Sequence, residues 1–472
     1  MKVVSVSLQS TETAEKAHRF ALTPELLAAT GARYSRSNEG LEQIVSRIDP
    51  NHTERSVESI FRMIDYGHQS IADMAPVAIF IDGISMWLAF YVWSLCPTAG
   101  GQESSTRYIK LSEDGVVEPA ALGLSESVLN DWRQFIRDSF SAYEKSLTFW
   151  QDIIIDFPEV ARIPASITSD YSDKGQRIKA RMRRNYGFDR ARSFIPAATS
   201  TNMMMLMSAR GWVQLSQVLL SHQLCEAKLL GAAIRDELAL VTPRLIKHAE
   251  AKVSIEKGLR DEFRNLIARA LRCPCPQLDD ENADCVHPAT PFIDTMFPPD
   301  INEQDLASSL DHHDNRYAWI GDAMKRTVVR FGWNAVSFAE IRDLNRHRTG
   351  NKHIPLVPLG FYYALDQLPS GVGPGVEEAL RQSSKLGKHA AGRARELLMS
   401  GDPTFVYWLQ LGTQFPFEHV TTADKFVYEA ELRTGAGAHF RYAQHFHDLL
   451  SKWYQKIPGT KGLIIEGAAE PE

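Results

Sequence analysis

What the chain has little of narrows its task first. Positive charge is short: 52 Lys and Arg stand against 58 Asp and Glu, a formal net charge of −6. Nucleic-acid binding usually shows a basic balance, so it is not expected here. Cysteine is scarce, five unevenly spaced residues in 472, and no apolar leader opens the chain. Both features point to a reducing, cytoplasmic setting without a disulfide framework. An unbroken membrane-length apolar run is also missing. The nearest candidate, MAPVAIFIDGISMWLAFYVWSLC at 74–96, is interrupted by Pro76, Asp82 and Gly83. It reads as a buried strand (Val77 to Ile81), a glycine turn and a buried helix (Ile84 to Leu95), and no membrane partner is expected. No G-x-x-x-x-G-K-[ST] phosphate loop, G-x-S-x-G nucleophile elbow or H-E-x-x-H metal helix occurs.

What is present is a soluble globular composition, 44% apolar and 23% charged, in a chain too long for one ordinary core. Strand-like and helix-like runs alternate over residues 1–250, from VVSVSL through a helix at Arg55 to Tyr66 to a long helical region from about Trp212 to Leu245. Residues 251–315 read as a connector, because 273–315 is rich in Pro, Asp and Cys with little periodicity. Regular signals resume over 316–460, and the tail GTKGLIIEGAAEPE is expected to be loosely held. The fold class is thus α/β (α+β): two tandem domains, each a sheet packed with long helices. Cys273, Cys275, Cys285 and His287 form a C-x-C…C-x-H set, but the usual two-residue zinc spacing is absent and no metal is expected.

Four polar clusters carry candidate chemistry. GGQESSTRYIKL at 100–111 sets Glu103, Ser105, Arg107 and Tyr108 behind two glycines; Ser and Arg in such a turn donate well to phosphate, and Glu103 can accept from a heterocycle N–H. KGQRIKARMRRNYGFDRAR at 174–192 is either a solvated helix face or a positive rim for an anion. Arg346, His347 and Arg348 stand side by side near a helix end, with Asp343 one turn earlier to orient Arg346. Two guanidinium groups can hold a phosphate or carbonyl, and a histidine between them can stack or donate. Finally, Arg433 heads LRTGAGAHF, whose small residues leave room for a flat ring.

These residues resemble the flavin-dependent thymidylate synthases. GHQSIADM (67–74) is similar to the family's G-H-x-[ST]-x-x-E-H element, with Asp73 and Met74 in place of Glu-His. Glu103, Ser105 and Arg107 fall on the family's Glu, Ser and Arg. ARSFIP (191–196) resembles A-R-x-x-L-P, and SAR (208–210) resembles N-A-R. The signature RHR is replaced by Leu95, Cys96 and Pro97 in the first half. It stands complete at Arg346, His347 and Arg348 in the second, where Leu356 replaces the following Ser. Arg433 resembles the Arg of L-R-x-x-x-x-A-Q.

The resemblance implies two diverged copies of one fold, each lacking what the other keeps. Family sites combine groups from different subunits. One composite site is therefore expected, with Glu103, Ser105, Arg107 and Arg192 from the first copy and Arg346, His347 and Arg433 from the second. The reciprocal site would be dead. It further implies an enzyme that methylates dUMP, or a related pyrimidine nucleotide, at C5, with FAD as cofactor and NADPH and methylenetetrahydrofolate as cosubstrates. Arg346 and Arg433 would hold the uracil, and Ser105 and Arg107 the phosphate, without a covalent serine adduct. Ser70, Arg210, His347 and Arg348 would face the FAD. Two fused copies imply a homodimer that mimics the family tetramer. A flavoenzyme for another pyrimidine and an inactive binding homologue are the alternatives.

Overall fold

The structure, a computed structural model, describes residues 1–6, 22–38, 40–49, 52–61, 69–107, 109–435 and 437–467. Gly67 and His68 of the upstream motif, Tyr108 of the polar turn, and the end of the helix expected at Arg55 to Tyr66 lie outside the described residues. In chain order, the elements that matter here are β1 (Lys2–Val6), β2 (Pro76–Ser85), α1 (Met86–Leu95), β3 (Gly100–Glu103), α2 (Glu126–Asp156), α3 (Asp173–Ala191), β4 (Ser200–Ser208), α4 (Ala209–Leu220) and α5 (Cys225–Val241). They continue with β5 (Pro291–Met296), β6 (Val328–Ser337), α6 (Phe338–Leu344), β7 (Asn351–His353), β8 (Gly360–Phe361), α7 (Pro374–Met399), β9 (Thr413–Thr422), α8 (Ala423–Thr434) and α9 (Phe440–Lys456). The chain is α+β, and its sheets are antiparallel.

The first compact unit comprises Met1–Ser104, Val116–Ser125 and Thr199–Arg264. Its sheet runs β1-β2-β4-β3. Alternation in β2 buries Val77, Ile79 and Ile81, and the register shifts between Asp82 and Ile84, where Gly83 takes φ +77°. A left-handed residue at a bulge favours glycine because it carries no Cβ. Ser85 then caps α1: its Oγ accepts from Leu88 N at 3.0 Å, which satisfies one of the free donors of the first turn. α1 has no polar face; Trp87, Leu88, Phe90, Val92 and Trp93 are all buried, as the apolar run demands. The single helical region expected from about Trp212 is two helices, α4 and α5, with a break at 221–224.

The second unit comprises Ser105–Gly115, Glu126–Ala198 and Asn265–Glu472. Its sheet runs β5-β6-β9-β7, with β8 also on β9. Strand for strand this is the order of the first sheet, and β6 has its own register shift, between Trp333 and Val336. Ser337 caps α6 by accepting from Glu340 N, and Glu340 in turn accepts from Ser337 N and Oγ, a reciprocal capping box. Phe331, Trp333, Phe417, Phe426, Phe446 and Trp453 fill the core between this sheet and α8 and α9. The long helices α2, α3 and α7 belong to this unit, and Trp132 of α2 donates to Tyr407 O at 3.0 Å.

Two expectations change here. The stretch expected as a connector supplies β5, paired with β6 over six residues. Prolines and aspartates around a strand this short hide its one buried apolar residue, Ile293. The tail is pinned as far as residue 467: Ile464 is buried, Ile465 N donates to Glu431 Oε1, and Glu466 accepts from Tyr454 and contacts His447.

The outer faces of the two sheets differ. In the first unit Val4, Phe80 and Leu206 are exposed. In the second, Arg330 lies across the sheet between Asp294 and Glu418, at 3.0 and 2.6 Å.

Candidate functional site

In the second unit, α6 ends in a turn that carries Arg346, His347 and Arg348, and one helical turn earlier stands Asp343. Asp343 is buried and is the point on which the arginines converge. Arg192, in the single turn after α3, donates from Nη2 to Asp343 Oδ2 at 3.1 Å. Arg346 Nη2 lies 3.7 Å from Oδ1. Arg433, near the end of α8, donates to the Asp343 carbonyl at 2.7 Å. Burial opposes charge on this carboxyl, but Arg192, Arg346, Arg433 and Arg107 hold it well below the usual carboxylate range.

Arg107 is gripped by Asp189 of α3: Nε and Nη2 donate to the two carboxylate oxygens at 2.8 and 2.7 Å, and Nη1 donates to Gly437 O at 2.8 Å. This bidentate fork is among the strongest ion-pair geometries, and against burial it holds Asp189 down at about 2. Arg107, expected to meet a phosphate, therefore has its fork engaged within the protein. Ser105 Oγ accepts from Arg107 N at 3.1 Å, and Thr106 Oγ1 from Arg192 Nη1 at 3.4 Å. Arg192 Nε is buried and has no hydrogen-bonding partner.

His347 is 8% exposed, and its Nε2 accepts from Arg433 Nε at 2.7 Å. An acceptor nitrogen carries no proton, so the ring is neutral; burial also pushes its pKa down to about 3. This does not fit the expected ring contact with a flavin. His439 caps α9 through Nδ1 and directs Nε2 at Asp189 O, 3.1 Å away. Burial, with Arg192 adding to it, lowers His439 to about 3. Beside Arg433, Gly435 is covered by Arg316, whose Nη2 would lie 2.2 Å from a Cβ there, so a flat ring at Gly435 would have to displace that side chain.

The structure thus brings Ser105, Arg107, Arg192, Arg346, His347 and Arg433 into one unit. Glu103, at the end of β3, belongs to the first unit, as do Ser70 and Arg210. Ser70 is exposed, and Arg210 donates to Asp73 at 2.9 Å while keeping more than a third of its side-chain surface. Arg348 is half-buried. The geometry carries none of these three to a cofactor, and buried His347, whose Nε2 accepts from Arg433, does not fit a flavin ring. Asp189, His439, Glu429 and His419 escaped sequence reasoning. No motif marks them, and only the packing of α3, α8, α9 and β9 gives them partners.

The first unit carries different groups at the matching positions. Counted from the cap residues Ser85 and Ser337, Tyr91 stands level with Asp343, and Ser94, Leu95 and Cys96 level with Arg346 to Arg348. This shifts by one the residues expected in place of RHR. Counted from Ser208 and Thr422, Leu219 stands level with Arg433 and Asp424 with Arg210. Tyr91 stacks on Trp87 with centroids 5.4 Å apart and lies 5.0 Å from His222, and Leu219 is fully buried. Apolar and aromatic groups occupy the place of the arginine cluster.

The basic run is divided. Arg190 is buried between the Tyr186 and Phe440 rings, at 3.4 and 4.1 Å, whereas the earlier cations of α3 lie mostly at the surface. Cys275 and Cys285 are buried thiols that donate to the carbonyls of Leu359 and Phe361.

Residues 19–244 match the family model of the thymidylate synthase complementing protein. That stretch thus carries the flavin-dependent thymidylate synthase resemblance seen in its motifs. A UPF0159 protein of Thermoplasma acidophilum is 21% identical over 92% of this chain and 93% of its own. A UPF0159 protein of Chlamydia pneumoniae is also 21% identical, over 70% of this chain and 67% of its own. Among solved structures, the flavin-dependent thymidylate synthase ThyX of Helicobacter pylori, complexed with FAD and dUMP, is 16% identical. It covers 53% of this chain and 100% of its own, with a TM-score of 0.31. The UMP/dUMP methylase PolB of Streptomyces cacaoi, bound with 5-Br dUMP, is 14% identical, covering 52% and 93%, with a TM-score of 0.30.

Proposed function

We propose that the chain is a thymidylate synthase-like flavoenzyme with one site, in the second unit, that binds a pyrimidine nucleotide such as dUMP for reductive methylation at C5. The two sheets of identical strand order are then diverged copies of one fold, and the first copy has given up its reciprocal position. One observation carries this reading. Four guanidinium groups, of Arg107, Arg192, Arg346 and Arg433, surround Asp343 and outnumber the two carboxylates among them, Asp189 and Asp343, two to one. His347 and His439 are neutral, so the cluster keeps an excess positive charge suited to a phosphomonoester or to the charge that develops on a uracil carbonyl.

Arg346, half exposed, and Arg433 are the groups for the pyrimidine ring. A well-placed donor to a developing oxyanion contributes on the order of 3 kcal/mol to lowering the barrier. Ser105 and Arg192, whose Nε is unpartnered, are the groups for the phosphate. FAD, when bound, supplies the hydride chemistry, with NADPH and methylenetetrahydrofolate as cosubstrates. Arg348, in the same unit, is the residue for its anionic part; Ser70, Glu103 and Arg210, in the first unit, are not assigned to this site. A homodimer is the proposed assembly.

The test is growth of a thymidylate-synthase-null strain without thymidine, together with the flavin absorbance of the purified chain. Complementation that is lost in Arg346→Ala and Arg433→Ala supports the proposal; a colourless chain that neither complements nor binds dUMP overturns it. Engagement of the Arg107 fork by Asp189 favours a second reading, a nucleotide-binding homologue without turnover. Retained dUMP binding without complementation selects that one.

A further inference from the structure

The turn that carries Arg346, His347 and Arg348 is held from beneath by charged groups that lie outside the arginine cluster. His419, on β9, is fully buried. Its Nε2 lies 2.7 Å from the carbonyl oxygen of Thr349. A ring nitrogen that close to a carbonyl must carry a proton and donate it. Its other nitrogen, Nδ1, lies 3.1 Å from Oε2 of Glu429 on α8, whose side chain is 1% exposed. The two make a close charge contact rather than an aligned hydrogen bond; without water an unprotonated ring nitrogen there would repel the carboxylate, which favours a second proton on the ring. Both nitrogens of His419 are then protonated, and Glu429 is its counter-ion.

The neighbours point the same way. Lys352 pairs with His419 across β7 and β9, and its Nζ donates to the His347 carbonyl. The carbonyls on either side of Arg348 are therefore each held by a cationic side chain. Glu429 contacts His419 and is within electrostatic reach of Lys352, and its Oε1 lies 3.8 Å from His347 Nε2, the nitrogen that accepts from Arg433. Glu429 stands one helical turn before Arg433, so the same stretch of α8 carries the anion beneath the turn and the guanidinium beside it. The aromatic rings near His419 are those of Phe331 and Phe417, at 5.1 and 6.5 Å, and they bring no charge.

We infer that Glu429 and His419 form a buried carboxylate–imidazolium pair that, with Lys352, positions the Arg346–Arg348 turn for its ligand. These are positioning residues acting through the backbone of the turn, and their bearing on ligand binding rests on the nucleotide reading above.

The experiment uses the full chain without ligand, and then with dUMP as probe. Imidazole ¹⁵N spectra at pH 7 should show His419 doubly protonated. In Glu429→Gln, whose amide can donate to a neutral Nδ1, that signal should become neutral while the fold is kept. His419→Phe removes the donor to Thr349. It should speed hydrogen exchange in residues 346–352 by about three- to tenfold, the equivalent of one lost hydrogen bond, relative to β6. It should weaken dUMP binding by a similar factor. A neutral His419 in the native chain, or exchange in the turn unchanged by His419→Phe, overturns the inference. If the turn loosens but the native chain does not bind dUMP, the pair is supported and the nucleotide reading falls.

Discussion

At the scale of the residue, the second unit turns on which buried charges have partners. Arg107 and Asp189 are both largely buried and meet through two parallel hydrogen bonds. Removing one member of such a pair leaves the other charge stranded, so Asp189→Ala should cost about 3–5 kcal/mol in chemical denaturation. Asp189→Leu combined with Arg107→Met, which removes both charges, should recover much of that loss. Arg346 behaves differently. Its side chain is 48% exposed and its contact with Asp343 is 3.7 Å. Arg346→Ala should therefore leave the thermal midpoint nearly unchanged and weaken dUMP binding by tenfold or more, measured by titration calorimetry. The buried histidines fix the response to pH. His347 and His439 are held neutral down to about 3, whereas in the unfolded chain they take up protons below about 6.5. The unfolded state then binds more protons, and stability falls as the pH drops from about 6.5 toward 3, by about 1.4 kcal/mol per pH unit for each such histidine in mid-range. Denaturation midpoints taken from pH 7 to pH 4 should show this slope, and His439→Asn, which keeps a capping side chain, should flatten it.

At the scale of the element, the two units repeat one device: a bulged strand that ends in a capping serine and delivers a helix. Ser85 and Ser337 both accept from the backbone N–H three residues on. Ser85→Ala and Ser337→Ala should each lose about 1 kcal/mol for the cap. Ser85 also donates to Glu226 at 2.7 Å, and Ser337 to Glu340 at 2.7 Å, so each loss should exceed that of a cap alone. The edge strands add a second repeat. Gly101 and Gly350 take positive φ, and a Cβ at either would come within about 2 Å of a carbonyl oxygen of the neighbouring strand, that of Met204 or Val420. The helices delivered by β2 and β6 nevertheless differ. α1 is apolar on every side, while α6 carries Glu340 and Asp343. The same frame therefore ends once in an aromatic stack and once in an arginine cluster.

At the scale of the whole molecule, a net charge of −6 does not favour an anionic ligand at long range. The local excess of arginine must then do the attracting within about a Debye length, roughly 8–10 Å at ordinary salt. Binding of dUMP should weaken as salt rises from about 0.05 to about 0.5 M, and Arg346→Ala should show the smaller dependence, because it lacks the most exposed of the four guanidinium groups. No helix among the described residues is long and apolar enough to cross a membrane. The segment at 74–96 that came nearest is divided between β2 and α1.

The sequence by itself determined the strand–turn–helix units, since alternation, glycine and a capping serine act over a few residues. It also marked Arg346, His347, Arg348, Arg433, Arg107 and Arg192, because residue type and motif spacing are local properties. It could not reveal β5, whose single buried residue is surrounded by turn formers. Nor could it reveal Asp189, His439, His419 and Glu429, whose partners lie far along the chain. Above all, it could not say which groups were already spent: the Arg107 fork donating to Asp189, and His347 Nε2 accepting from Arg433. Only the tertiary structure decided that, because a side chain's charge and free hydrogen bonds depend on what burial removes and what its neighbours supply.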